Sequence, residues 1–151
     1  MYIYGLDLSM EQTGIAVLDE KGTPILITSI ATNKKQSHGQ RLYQIASELI
    51  NLKTRYPPTV IAIERGFSRF NTSTQVIYRV HGIVNYIFHD IQQVYYPPKK
   101  VKECILNGTA TKKAIQKKLE KDYKSYGISF ANEDKSDALA VAVTYLKKMI
   151  K

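Results

Sequence analysis

The segment Tyr2-Ile3-Tyr4-Gly5-Leu6-Asp7 is a short run rich in strand-forming residues that ends at an acid. A second apolar run covers residues 14–18 and a third covers residues 24–31, with the turn-like sequence Asp19-Glu20-Lys21-Gly22 between them. Three such runs separated by turns predict an antiparallel meander of three β-strands. Asp7 is therefore expected at the end of an apolar strand.

Helical and strand patterns alternate beyond the meander. Helical periodicity covers residues 42–50, after a capping-box pair formed by Ser37 and Gln40. A β-branched run over residues 59–63 predicts a buried strand that ends at Glu64. The remaining predicted elements are a helix over about 72–90 with a second capping box at Thr72 and Gln75, a strand over 91–96, and helices over 99–106, 111–126 and 134–150. The order βββαβαβααα indicates one α/β domain spanning residues 1–151, with a five-stranded mixed sheet flanked by helices.

The charge of the chain is strongly basic and unevenly distributed. The 151 residues have the size of one domain and carry a formal net charge of +9. Most of the excess lies in residues 99–124, where nine lysines stand against three acids. A merely solvated helix usually mixes both signs, so this one-sided charge indicates a polyanionic partner, nucleic acid before an anionic membrane surface.

Composition excludes several classes of protein. The one cysteine, Cys104, cannot form an intramolecular disulfide or the usual cysteine-based zinc site. No apolar run approaches the length of about 18 residues that suggests a membrane span. The N-terminus also lacks a basic leader followed by an apolar stretch. We therefore expect an intracellular protein without a membrane partner.

Four acids lie where their charge calls for an explanation: Asp7, Glu64, Asp134 and Asp137. Asp7 could begin a turn and Asp134 could cap the last helix, but Glu64 ends a strongly apolar strand. If the first and fourth strands are neighbours, Asp7 and Glu64 emerge side by side and repel each other. A divalent cation would remove this repulsion, and carboxylates without His or Cys favour Mg²⁺ or Mn²⁺.

Such an acidic cluster on a basic protein predicts phosphoryl transfer assisted by two metal ions. One ion would turn a water into a nucleophile, and the other would stabilise the departing 3′ oxygen. Lysines around the cluster would bind phosphates and offset charge in the transition state.

Three motifs occur in order on the expected elements. They are Gly5-Leu6-Asp7 with Thr13-Gly14-Ile15-Ala16-Val17, Ile61-Ala62-Ile63-Glu64-Arg65-Gly66-Phe67, and Asp134-Lys135-Ser136-Asp137-Ala138-Leu139-Ala140. Together they resemble the RuvC family of Holliday-junction resolvases over nearly the whole chain, which implies the ribonuclease-H-like fold. Leu8-Ser9-Met10 stands where that family usually has Pro-Gly-Ser, which favours a divergent, virus-encoded member.

The resemblance implies a homodimer that binds four-way DNA junctions and nicks two strands of like polarity symmetrically. It also implies two Mg²⁺ ions per active site, with Mn²⁺ as a substitute, held by the four acids Asp7, Glu64, Asp134 and Asp137. Such a protein is expected in the cytoplasm with the nucleoid, or in the host cytoplasm if a virus encodes it. Whether a helicase partner is required stays open.

The resemblance also assigns roles in catalysis and DNA binding. Lys102 and Lys112 match family lysines near the scissile phosphate, although Lys113 could replace Lys112. Phe67 matches an aromatic that the family stacks on a base near the crossover, and Phe70 is its rival. The full predicted DNA-binding set is Arg65, Phe67, Arg69, Phe70, Lys99, Lys100, Lys102, Lys112, Lys113 and Lys117.

The helix over about 72–90 is the predicted dimer interface, because it is apolar on more than one stripe. One stripe can face the sheet, which leaves Ile77, Phe88 and Tyr86 to be covered by something else. Gly82 would let another helix approach closely. The alternative is that the two basic C-terminal segments cover this second stripe.

Two other functions remain open. A related ribonuclease-H-like nuclease acting on RNA or on other branched DNA would share the fold and part of the acidic set. A non-enzymatic nucleic-acid-binding protein would explain the lysines but not the four acids, which would repel DNA without metal.

Overall fold

The computed structural model describes residues 1–66 and 71–150, without the side chain of Asn71. The strands are β1 Tyr2–Asp7, β2 Gln12–Asp19, β3 Pro24–Ala31, β4 Pro58–Glu64 and β5 Gln92–Tyr96. The helices are α1 His38–Arg55, α2 Asn71–Ile87, α3 Pro98–Ile105, α4 Lys112–Asp122 and α5 Glu133–Met149, with a short 3₁₀ turn at Lys124–Tyr126. The predicted order is confirmed, and the structure divides the long segment predicted over 111–126 into α4 and the 3₁₀ turn.

The five strands form one sheet in the order β3-β2-β1-β4-β5. The predicted meander is confirmed, because β2 pairs antiparallel with both β1 and β3. β4 pairs parallel with both β1 and β5, which requires the crossovers that α1 and α2 provide. Leu6 is paired with Ile63, so Asp7 and Glu64 follow matched positions of adjacent strands, as expected.

Two apolar cores lie on the two faces of the sheet. Side chains of β1 alternate between them: Ile3 joins the core under α3, α4 and α5, whereas Tyr4 and Leu6 join the core under α1 and α2. The Tyr4 hydroxyl is also satisfied, because it lies 2.8 Å from the carbonyl oxygen of Leu52 and 2.7 Å from that of Tyr56. The sheet is thus covered on both faces, as parallel strands require.

Helix α5 lies unusually close to the sheet because two glycines face it. A Cβ atom at Gly5 would collide with the carbonyl oxygen of Ala138, and one at Gly14 would collide with that of Asp134. Any side chain at these positions would therefore push α5 away from β1 and β2. Without one, the first turn of α5 lies over the end of β1, which carries Asp7.

The helix caps decide one question about the acids. The predicted capping box of Ser37 and Gln40 is confirmed at the start of α1. Asn132, and not Asp134, caps α5, since its side-chain oxygen accepts a hydrogen bond from the backbone N–H of Lys135. The interpretation of Asp134 as a cap is therefore wrong. The capping box predicted at Thr72 is also wrong, because α2 already begins at Asn71.

The outer face of α2 differs from the predicted one. Phe88 is fully buried and packs edge-on against Tyr4, with 5.9 Å between ring centroids, so its place on a second stripe is wrong. Ile77 lies over Gly66 at the rim of a cavity. Tyr86 is 77% exposed, as expected. Helices α3 and α4 pack against α5, so the alternative that they cover α2 is wrong.

Among the helices of residues 1–66 and 71–150, none is both long and apolar enough to cross a membrane.

Candidate active site

Three of the four predicted acids line one cavity together with both predicted catalytic lysines. The residues concerned are Asp7, Glu64, Asp137, Lys102 and Lys112. Asp7 ends β1, Glu64 ends β4, and Asp137 lies one turn into α5, so three separate elements meet at one edge of the sheet. Asp134 is not part of the cavity lining, but its side chain lies within hydrogen-bonding reach of Asp7.

The pKa values of these acids are all raised. Burial, followed by repulsion from Asp137 and Glu64, raises the pKa of Asp7 to about 8. Burial, followed by repulsion from Asp137, raises the pKa of Glu64 to about 7. The pKa of Asp134 also lies above its usual range, with burial again the largest cause. Without a cation, the cluster therefore holds protons that exposed carboxyls would have lost.

Lys112 supplies the closest positive charge. Its ammonium nitrogen lies 3.0 Å from Oδ2 of Asp137 and 3.7 Å from Oε2 of Glu133. The pKa of Asp137 is still raised, because burial, the largest cause, and repulsion from Glu133 together outweigh the lowering by Lys112 and Lys102. Lys102 contributes at longer range by lowering the pKa values of both Glu64 and Asp137.

The apolar faces of α3 and α4 fix the directions of these lysines. Val101 of α3 and Ile115 of α4 are buried in the core under α5, and both line the cavity. Lys112 contacts Asp137 and Lys102 lines the cavity, whereas Lys113 is exposed and does not line it. This placement favours Lys112 over Lys113 as the lysine of the site.

The other residues predicted to bind DNA are scattered over the surface. Arg65 is exposed at the cavity rim, and its backbone N–H donates to the carbonyl oxygen of Tyr96. Lys100 pairs with Glu103 at 3.4 Å and lines a different groove, beside the end of α5. Lys99, Lys113 and Lys117 are exposed. Phe67, Arg69 and Phe70 lie outside the described residues. The DNA-binding roles of all these side chains stay predictions.

Three further groups at the site lie outside the predicted set of site residues. Ile77 forms an apolar wall of the cavity. Glu133 forms a second, longer ion pair with the ammonium group of Lys112. The hydroxyl of Thr13 donates to the carbonyl oxygen of Ser9 at 2.7 Å, which fixes the loop directly after Asp7. Each group acts through a neighbouring residue, so the sequence pattern around it does not indicate its role.

Two solved structures share the fold of this chain. The structure of Thermus thermophilus RuvC superposes with a TM-score of 0.86 at 19% identity, covering 99% of this chain and 96% of the other. RuvC of T. thermophilus in complex with a Holliday junction substrate gives a TM-score of 0.84 at 19% identity with the same coverage. The chain therefore has the ribonuclease-H-like fold.

The particular family follows from the sequence comparison. The family model described as crossover junction endodeoxyribonuclease RuvC matches residues 3–145. RuvC of Prochlorococcus marinus subsp. pastoris is 28% identical, with 98% of each chain covered, and RuvC of Alkaliphilus metalliredigens is 29% identical, with 96% of this chain and 92% of the other covered. The chain belongs to the RuvC family of crossover junction endodeoxyribonucleases, which are metal-dependent nucleases.

Proposed function

We propose that this chain resolves four-way DNA junctions by nicking two strands symmetrically, using two Mg²⁺ ions held by Asp7, Glu64, Asp134 and Asp137. The observation that carries the proposal is the cavity in which three of these acids meet Lys102 and Lys112. Lysines beside buried acids suit a substrate that brings its own negative charge.

The donor set fits Mg²⁺ or Mn²⁺. Four carboxylates are hard oxygen ligands. Burial raises their pKa values and repulsion from other carboxylates adds to the shift, so a cation would stabilise the ionised forms. Within residues 1–66 and 71–150, however, no three acidic, His or Cys side chains are already grouped as a metal site. The proposal therefore requires the carboxylates to move together on binding. Bound ions would activate a water and stabilise the departing 3′ oxygen.

The residues of the chain have distinct roles in this proposal. Lys112 neutralises Asp137 in the free protein and turns to the scissile phosphate when cations and DNA arrive. Lys102 approaches the same phosphate from α3. Arg65, at the cavity rim, contacts the DNA backbone next to the cut, and the lysines Lys99, Lys100, Lys113 and Lys117 contact the arms of the junction. The same placement on DNA would associate the protein with the nucleoid.

We further propose that two copies associate through α2. Tyr78 and Tyr86 are 62% and 77% exposed, and they lie four residues before and after Gly82. A Cβ atom at Gly82 would meet nothing within 4 Å. These three residues form an exposed stripe, called here the Tyr78–Tyr86 stripe, on which a second helix could pack closely. A twofold arrangement would present two active sites to a junction that is itself nearly twofold symmetric.

Strand nicking on defined substrates tests the proposal. The unmodified chain is incubated with Mg²⁺ and a labelled four-way junction, a linear duplex of the same sequence, a fork, and an RNA–DNA hybrid. We expect paired nicks in the four-way junction, little cutting of the others, and none in EDTA. Preferred cutting of the hybrid would indicate a ribonuclease, and junction binding without any nicking would indicate a binding protein.

A further inference from the structure

A second cavity lies beside the active-site cavity. It is lined by the loop after β1, by Lys34 and Arg41, and by the first turns of α2. Ile77 borders both cavities, and the consecutive residues Leu8 and Ser9 line the active-site cavity and the second cavity, respectively. The two cavities are therefore immediate neighbours.

Arg41 is the unusual residue of this second cavity. It is only 8% exposed, although arginines are rarely buried without a charged partner. Its Nε donates to the hydroxyl of Thr32 at 2.8 Å and its Nη2 to the carbonyl oxygen of Met10 at 3.3 Å, and both acceptors are neutral. In the part of the chain that the structure describes, no carboxylate lies within ion-pair distance of Arg41. The nearby Glu11 is influenced mainly by Lys34 and less by Arg41, and both lower its pKa.

The other polar groups of the cavity suit an anion. Ser9, Thr72 and Ser73 bring hydroxyl groups, and the first turn of α2 contains no acid. Lys34 adds a second cation, paired at 2.8 Å with Glu11, the one acid in the lining. Both partners of this pair are well exposed, so the pair is weak and Lys34 can turn to another anion.

We propose that the Arg41 cavity binds a backbone phosphate of the junction, next to the strand that lies in the active site. This inference rests on the proposed function, since it assigns a further contact to the same substrate. A DNA phosphate would compensate the charge of Arg41, accept hydrogen bonds from the hydroxyls, and draw Lys34 away from Glu11. Because the cavity adjoins the active site, the contact would set the register of the strand at the cut.

The first test compares Lys34→Gln with Lys35→Gln, a neighbouring exposed lysine that does not line the cavity. Junction affinity is measured in EDTA, which prevents cutting, between 50 and 200 mM salt. Each lost phosphate contact lowers the slope of log affinity against log salt by about 0.9. The affinity deficit of Lys34→Gln should therefore shrink about 3.5-fold over this range, whereas Lys35→Gln should lack this change.

Glu11 needs its own control, because Lys34→Gln also frees its carboxylate. We expect Glu11→Gln to bind the junction more tightly and Glu11→Gln/Lys34→Gln to lose the same slope relative to Glu11→Gln. If Lys34→Gln has a defect and the double variant has none, Glu11 repulsion explains the loss and the phosphate contact is refuted.

The decisive arm uses junctions with one uncharged methylphosphonate at successive positions near the crossover. At one position the substitution should weaken binding by the unmodified chain but not by Lys34→Gln or by Arg41→Gln, provided that the melting temperature shows Arg41→Gln to be folded. If inorganic phosphate stabilises the protein through Arg41 and no methylphosphonate position responds, the cavity is a free-phosphate site and the proposal is wrong.

A chain that binds no junction at all refutes the proposed function instead. If the unmodified chain binds and cuts the junction normally, and the Lys34→Gln and Lys35→Gln variants show the same salt dependence of binding, only this inference is refuted.

Discussion

The ammonium nitrogen of Lys112 lies 3.0 Å from Oδ2 of Asp137, so a residue at the start of α4 meets one in the first turns of α5 across the active-site cavity. The contact raises the pKa of Lys112, with the hydrogen bond to Asp137 the largest cause in that direction. A positive charge therefore stands beside the acids before any metal arrives. Its neutralising role in the free protein and its phosphate-binding role during cleavage can be separated experimentally.

Replacing Lys112 by Gln should slow cleavage on the order of 10²-fold, the loss typical of removing one group that stabilises transition-state charge. Lys113→Gln is the matched control, because the neighbouring lysine is exposed and does not line the cavity. Single-turnover nicking of a four-way junction gives the comparison. Equal losses in the two variants would mean that both lysines act only through general attraction of DNA.

The raised pKa values predict how stability depends on pH without metal. The pKa of Asp7 rises to about 8 in the folded chain, mainly through burial, from an ordinary value near 4. Between these values the unfolded chain ionises more readily than the folded one, so stability falls as the pH rises from about 4 to about 8. Burial lowers the pKa of His81, so the contribution of His81 to stability rises with pH instead of falling.

The measurement therefore uses the difference between the unmodified protein and Asp7→Asn, in which the contribution of Asp7 is removed and that of His81 is kept. In EDTA, we expect the substitution to raise the melting temperature more at pH 8 than at pH 5. Mg²⁺ should stabilise the unmodified protein more at pH 8, since it binds the ionised carboxylates. A stabilisation by Asp7→Asn that does not change with pH would argue against a buried, protonated Asp7.

Asp7→Asn should also separate binding from cleavage. The amide keeps the shape of the side chain but removes the charge proposed to hold a cation, so nicking should fall by orders of magnitude. Junction binding should persist or become tighter, because one repulsion from the DNA phosphates is gone. Filter binding and nicking on the same junction provide the two readouts. Loss of binding by a folded Asp7→Asn protein would contradict its assignment as a metal ligand.

Local sequence patterns predicted the order of elements and the positions of two acids at strand ends, for an identifiable reason. Asp7 and Glu64 end strands whose apolar runs are short, bounded and unambiguous, and their common edge follows once β1 and β4 are neighbours. That neighbourhood is set by crossovers between distant segments, which periodicity does not encode. The sequence therefore predicts that Asp7 and Glu64 are adjacent only if β1 and β4 are neighbours. The sheet order confirms that these two strands are neighbours.

Features set by packing between elements could not be predicted in this way. Phe88 lies just beyond the end of α2, where the chain turns into the core, so helical periodicity placed it on the wrong face. The choice between Lys112 and Lys113 depends on which face of α4 packs under α5. In the sequence, Arg41 has the pattern of a polar residue on an amphipathic helix. In the structure it is buried and donates a hydrogen bond to the carbonyl oxygen of Met10, which is far away in sequence.

Gly14→Ala should both destabilise the protein and impair its active site. The new methyl group would collide with the carbonyl oxygen of Asp134, so α5 must move outward. Overpacking of this kind costs about 1–3 kcal/mol in free energy of unfolding. Cleavage should fall further than stability explains, because Asp134 and Asp137 move with α5.

Gly39→Ala is the control, since its Cβ would contact only the Ser37 hydroxyl, at 3.9 Å. Wild-type nicking by a folded Gly14→Ala protein would show that the position of α5 is not critical.

The proposed dimer is tested at the Tyr78–Tyr86 stripe. Tyr86→Lys places a charge on this stripe, and Tyr43→Lys is a matched control on α1, since the two tyrosines are 77% and 76% exposed. In an isolated chain both substitutions should leave the melting temperature nearly unchanged, because neither ring is buried. In a dimer that packs through α2, Tyr86→Lys should give a folded monomer with poor junction affinity and without paired nicks, whereas Tyr43→Lys should remain dimeric.

Gly82→Ala gives a second test of the same interface. It should stabilise an isolated helix by up to about 1 kcal/mol, yet weaken association if a second helix lies against Gly82. Light scattering at micromolar concentration gives the mass, and a supercoiled plasmid carrying a cruciform reports whether both strands are cut in one binding event. An unmodified protein that is monomeric and still makes paired cuts in one binding event would rule out a dimer through α2.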